Sequence, residues 1–172
     1  MSNDLEVSDL VPFFKAAKHQ IIFEFFYLLI SLFICLGFIF TLLTTEWTIF
    51  TLFDEGKKTL MLSFLAGYLG GWAFVAKWFY RVTARGRNDQ YECIWQSNKF
   101  YWRIFSPLIS ALIAFTTYLL VISDFFPLEL KNGLNNKTAF AFSFLLGYFS
   151  DIILTKLSKW IENVVPDRES NG

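Results

Sequence analysis

Four runs of mostly apolar residues, Ile21 to Leu43, Thr59 to Tyr80, Pro107 to Phe126 and Thr138 to Leu157, take up about half of this 172-residue chain. A helix needs roughly 20 such residues to cross the hydrocarbon core of a bilayer, so each run is long enough to be a span. Composition agrees, with 55% hydrophobic and 17% charged residues and 22 phenylalanines, where a soluble domain carries about a quarter charged residues. Only short connections and tails remain, too little for a separate soluble catalytic domain. The expected fold is one all-α membrane domain over residues 1–172, a four-transmembrane-helix bundle in which the bilayer serves as the core.

The first run reads as a retained span. Its leader, Met1 to Asp9, is acidic where a secretory signal is basic, and no small-x-small cleavage site follows the run. Ser8 or Asp9 ahead of Pro12 resembles a capped helix start, with a short lead-in from Leu10 running into the span. Short cytoplasmic connections collect Lys and Arg. Lys15 and Lys18 precede the first run, six basic residues from Lys77 to Arg103 surround the second connection, and Lys156, Lys159 and Arg168 follow the fourth run. Both termini and the connection 81–106 are therefore expected on the cytoplasmic side. The formal net charge of zero conceals this asymmetry.

Absences narrow the chemistry. His19 is the one histidine, which excludes bis-histidine haem ligation, a two-histidine metal site and a Ser-His-Asp triad within this chain. Cys35 lies in an apolar run and Cys93 in the middle connection, so no disulfide framework follows. Asp54 to Thr59 lacks the upstream glycine of a phosphate-binding loop. Neither a cofactor nor a metal is expected, nor an enzyme, because no candidate acid and base share a motif.

Small residues recur every fourth position: Ser63, Gly67 and Gly71 in the second run, Ser106, Ser110 and Ala114 in the third, Ser143, Gly147 and Asp151 in the fourth. Such stripes let helices approach closely in lipid. Packing within one bundle is the simpler reading, and dimerisation the alternative. Asp151 stands out, since a carboxylate in an apolar run requires a partner or a wet cavity. Glu24, Lys77 and Asp151 are expected at similar depth. One reading joins them with Arg103 in an intramembrane charged cluster. The other lets Glu24 and Lys77 reach the headgroups and buries Asp151 alone beside a Ser or Tyr.

In the middle connection, Tyr91, Ile94, Trp95, Asn98, Tyr101 and Trp102 fall at helical spacing opposite Asp89, Gln90, Glu92, Gln96 and Lys99. This predicts an interfacial helix, with Ser106 and Pro107 starting a separate third span. Arg81, Arg85 and Arg87, with Trp95 and Trp102, form a surface for acidic lipid or a partner protein. Direct binding of nucleic acid is not expected.

Two function classes follow. Trp102 to Ala111, followed by Phe144 to Asp151, resembles a pattern in small four-span bacterial inner-membrane proteins. Some of these belong to anti-phage defence systems, the membrane subunit of the Kiwa system among them. The resemblance implies a homo-oligomeric subunit that anchors, senses or forms a pore with a cytoplasmic protein partner. The alternative is a small proton-coupled exporter, because four-span multidrug exporters carry a functional glutamate in the first span, as Glu24 would be here.

Overall fold

The computed structural model of the protein describes residues 5–44, 55–85, 95–123, 125 and 135–164. Every regular element among them is helical: α1 (Leu5–Thr44), α2 (Glu55–Tyr80), a π turn (Arg81–Arg85), a 3-10 turn (Ser97–Lys99), α3 (Phe100–Ile122), α4 (Asn136–Tyr148) and α5 (Ser150–Val164). Three stretches are long and apolar enough to cross a membrane, Ala17–Thr44, Glu55–Ala84 and Ser97–Ile122, and the bent pair Asn136–Tyr148 and Ser150–Glu162 makes a fourth if it is counted as one broken span. The lead-in and first run form one helix that begins at Leu5, ahead of the expected Ser8 or Asp9 cap.

α2 is the central helix because its small residues leave room for two neighbours. A Cβ on Gly67 would come within 2.5 Å of the Ala114 Cβ, and one on Gly71 within 2.5 Å of the Ser110 Cβ, so these two positions seat α3. A Cβ on Gly70 would strike the backbone of Phe144 and Tyr148, so that position seats α4. Gly147 of α4 in turn lies against the Gly67 backbone. The buried hydroxyls of Ser63 and Ser143 bond at 2.7 Å across the same α2–α4 contact. The stripe residues Ser63, Gly67, Gly71, Ser110, Ser143 and Gly147 are thus buried between helices of a single chain.

α1 packs along one narrow seam. Ala17, Glu24, Leu28, Cys35, Ile39 and Leu42 are buried, a repeat of threes, fours and sevens that keeps one edge of a helix facing its neighbour. Cys35, Ile39 and Leu42 meet Leu62 of α2 in an apolar cluster. The remaining faces are covered in exposed apolar side chains, with Phe33 and Phe40 about two-thirds exposed.

Cross-contacts set the directions. α1 and α3 start at one end of the bundle, where Glu24 meets Arg103; α2 and α4 start at the other, where Thr59 bonds to Asn136. Asn135 caps α4, its side-chain oxygen accepting the Thr138 N–H at 2.8 Å.

The fourth run departs from expectation. It breaks at Phe149 with an 89° bend between α4 and α5. α4, at 13 residues, is about 20 Å long, short of the roughly 30 Å hydrocarbon thickness. Ser150 at the start of α5 bonds to Ser110, halfway along α3, at 2.9 Å. Trp160 near its end packs edge-on against Phe125, just past the end of α3, with ring centroids 5.4 Å apart. α5 therefore runs obliquely back along the second half of α3, toward the end of the bundle where α4 began. The amino-terminal half of α1 and the carboxyl-terminal half of α5 accordingly lie toward opposite ends of the bundle, while the chain termini themselves lie outside the described residues.

The third run also differs. α3 starts at Phe100, and Ser106 and Pro107 are buried inside it rather than capping it. Pro107 lies inside α3 and has no N–H, so the helix bond that residue 107 would donate to the Arg103 carbonyl is missing. The expected interfacial helix lies partly outside the described residues. Its described part is extended at Gln96 and then a 3-10 turn that leads directly into α3.

Candidate functional site

The end of the bundle where α1 and α3 start holds the densest polar cluster among the described residues, and Arg103 is its centre. Residue 103 sits one turn into α3 on the side facing α1. The Arg103 Nε donates to Glu24 Oε2 at 2.9 Å, with the side chains 11% and 1% exposed. Arg103 Nη1 donates to the Gln96 carbonyl at 3.3 Å, and the guanidinium carbon stacks 4.1 Å above the Trp95 ring. Trp95 is held by its indole N–H donating to Gln20 Oε1 at 3.3 Å and by the edge of Phe79. One guanidinium thus ties together α1, α3 and the segment that enters α3 from the middle connection.

Hydrogen bonds one turn deeper brace the cluster. The Tyr27 hydroxyl donates to the Ile104 carbonyl at 2.8 Å, in the turn that Pro107 loosens. The Trp72 indole N–H donates to the Leu28 carbonyl at 2.9 Å, joining α2 to α1. These bonds hold the backbone on both sides of the ion pair. The pair itself is only half of a fork: Glu24 Oε1 and Arg103 Nη2 are buried and have no protein partner. A side-on guanidinium can make two parallel bonds to a carboxylate, so one acceptor and one donor remain for a bridging water or a small rotation.

The expected four-residue cluster is divided. Glu24 and Arg103 are together. Lys77 is exposed and donates to the Tyr148 hydroxyl at 3.1 Å, linking α2 to the end of α4. Asp151 is exposed on α5 and is neither on the Ser143 and Gly147 packing face nor near Glu24. The bend at Phe149 explains this, because it rotates residue 151 out of register with α4 and brings Ser150 inward instead. Asp151 becomes a first-turn acid of a new helix, a position that the helix dipole favours. The Phe149 carbonyl accepts from both the Ile152 and Ile153 N–H groups at 3.0 Å, starting that helix.

Of the expected outer surface, Arg81 begins the π turn and lies over Trp78, 5.8 Å from its ring, and Arg85 closes that turn. Trp95 is half-buried in the Arg103 cluster and Trp102 is exposed on α3; Arg87 lies outside the described residues. Sequence reasoning missed Gln20, Tyr27 and Trp72. A signal existed for two of them: Gln20, Glu24 and Tyr27 follow helical spacing on one side of α1.

A scan of protein-family models and comparisons with curated proteins and solved structures return no match. Function therefore rests on the geometry of this chain. Among the described residues, no three His, Cys, Asp or Glu side chains group as metal ligands would.

Proposed function

We propose that this chain is a multi-pass subunit of a bacterial inner membrane, assembled as a homo-oligomer, that couples its bundle to a cytoplasmic protein partner, in keeping with a role in phage defence. The observation that carries this reading is the placement of Arg103. It bonds to a buried acid of the bundle on one side and to the middle connection, through Gln96 and Trp95, on the other. A pull on the connection is transmitted to α1 through a nearly dry ion pair, and an interaction between charges is strong where water is excluded.

Membrane embedding is supported by the surface. Phe23, Phe26, Phe33, Ile34, Phe38 and Phe40 project outward from α1, an apolar area that a water-exposed protein does not sustain. The core, by contrast, is closed by glycine, alanine and serine, as packing in lipid favours. Six basic residues between Lys77 and Arg103 support a cytoplasmic position for the middle connection. With α5 turned back, Lys156 and Lys159 belong toward the opposite face, so orientation rests on that cluster rather than on the carboxyl-terminal basic residues.

The exporter alternative is weakened by the same site. A proton-coupled carboxylate must open to a substrate path, whereas Glu24 is fully buried and held by Arg103.

Native mass spectrometry of the complex extracted from its own host tests the proposal. The expected result is a homomer carrying a soluble protein in fixed stoichiometry, with the soluble component lost in Arg103→Ala while the homomer survives. A bare homomer, together with loss of resistance to a cationic compound in Glu24→Gln, would instead establish the exporter.

A further inference from the structure

Toward the end of the bundle where α2 starts, a cavity of about 500 Å³ is lined by Phe38 and Leu42 of α1, Leu60, Met61 and Phe64 of α2, and Phe115 of α3. α1 and α3 are tied together near their starts, by Glu24 with Arg103 and by Tyr27 with Ile104. Toward the other end, bulky side chains of both frame this space over α2, where Phe64 and Phe115 pack edge to face with ring centroids 6.2 Å apart. Phe38 and Met61 are exposed, so the cavity opens onto the outer surface of the bundle. Its lining is all Phe, Leu and Met, which offers water nothing to bond with. Sites for small ligands span about 300–1,000 Å³, and this one falls within that range.

The membrane reading sets the depth of the cavity. Glu55–Ala84 has 30 residues, about 45 Å as a helix, which matches a bilayer with its headgroups rather than the roughly 30 Å of hydrocarbon alone. The first turn of α2 therefore stands among headgroups, and Leu60 to Phe64 stand among acyl chains. Lys57 is exposed in that first turn, three, four and seven residues ahead of Leu60, Met61 and Phe64, on the same face of the helix. Lys58 is held by Glu55 at 3.0 Å, whereas Lys57 makes no ion pair among the described residues.

We propose that the cavity holds one acyl chain of an acidic phospholipid whose phosphate is met by the Lys57 ammonium. This rests on the membrane-embedded reading above and adds a bound lipid to it. The lysine stem lies along apolar α2 while its charge reaches the headgroup layer, where it attracts an anionic headgroup. An acyl chain is thin, bends freely and needs only apolar contact. A second copy of this chain fits less well. Helices in lipid approach one another over small residues, and no Gly, Ala or Ser lines the cavity. A helix about 10–12 Å across would also fill the space within about one turn.

Native mass spectrometry of the full chain, released from nanodiscs of equal phosphatidylglycerol and phosphatidylcholine, is expected to show one retained phosphatidylglycerol per chain. Lys57→Gln should lower the preference for phosphatidylglycerol about fivefold. Met61→Trp, at a 41% exposed position, fills the cavity and should lower retention of either lipid about tenfold. Lys137→Gln, an exposed lysine at the start of α4, should change neither, and excess inorganic phosphate should not displace the lipid. Equal retention of the two lipids by the unmodified chain, or retention indifferent to Lys57→Gln and Met61→Trp, overturns the site and leaves the membrane reading standing. A dimer that carries no lipid and is lost in Met61→Trp overturns it in favour of a second copy. Release of the unmodified chain from its membrane by alkaline carbonate overturns both the site and the membrane reading.

Discussion

Gly147→Ala probes the closest helix contact in the bundle. A Cβ at residue 147 would lie 2.8 Å from the Gly67 carbonyl carbon and Cα and closer still to its oxygen. Carbon contacts sit at about 3.5–4.0 Å, so α4 must withdraw by about 1 Å. The Ser63–Ser143 bond, 2.7 Å on the same contact, would then pass out of hydrogen-bonding range. Forcing a methyl into a packed site costs about 1–3 kcal/mol. The lost hydroxyl pair adds about 0.6 kcal/mol, and the better helix propensity of alanine returns about 1 kcal/mol. The net loss is about 0.6–2.6 kcal/mol. Gly37→Ala is the matched control, since nothing lies within 4 Å of its added Cβ and only the propensity gain of about 1 kcal/mol applies. Cys35, 3% exposed, supplies the readout: in a Cys93→Ser background, a thiol-reactive dye reports thermal unfolding in detergent. Gly147→Ala should melt roughly 5–10 °C below Gly37→Ala. If the two melt together, the glycine contact is not what positions α4.

Arg103→Met leaves Glu24 buried without a counter-charge and should cost about 3–5 kcal/mol, whereas Glu24→Leu combined with Arg103→Met should recover most of that loss in the same melting assay. Tyr27→Phe should cost about 1 kcal/mol through loss of the hydroxyl's bond to the Ile104 carbonyl; no change would remove the bracing role of that bond. Tyr148→Phe, which frees the exposed Lys77, should shift stability by less than about 1 kcal/mol. Ser97→Cys and Glu162→Cys, each in a cysteine-free background, should react with an impermeant maleimide from opposite faces of sealed vesicles. Labelling of both from one face would refute the turned-back course of α5.

Much of the bundle was legible because close packing in a helical protein leaves a local mark. Gly67, Gly71 and Gly147 announce contacts by their spacing, and the structure places each between helices. The Glu24–Arg103 pair was legible only as two charges of compatible depth. Its partners Gln20, Tyr27 and Trp72 were missed because each is an ordinary residue for its run, and what singles it out is a bond to a distant element. Asp151 misled because its spacing from Gly147 assumes an unbroken helix. The contrary signal was present in Ser150-Asp151, a helix-start pair, and in the amphipathic order of Ile153, Leu157 and Trp160 against Thr155, Lys159 and Glu162.

By itself, the sequence determined that the protein is helical, where its long apolar runs lie, and which small residues let them touch. These properties follow from residue size, polarity and periodicity within a single segment. Only the tertiary structure decided that the fourth run breaks at Phe149, that Ser150 rather than Asp151 turns inward, and that Glu24 belongs to Arg103. A bend is settled by competition between continuing one helix and satisfying the neighbours it meets. Here the Gly67 contact, the Ser110 hydroxyl and the Phe125 ring are contributed by residues far away in the chain.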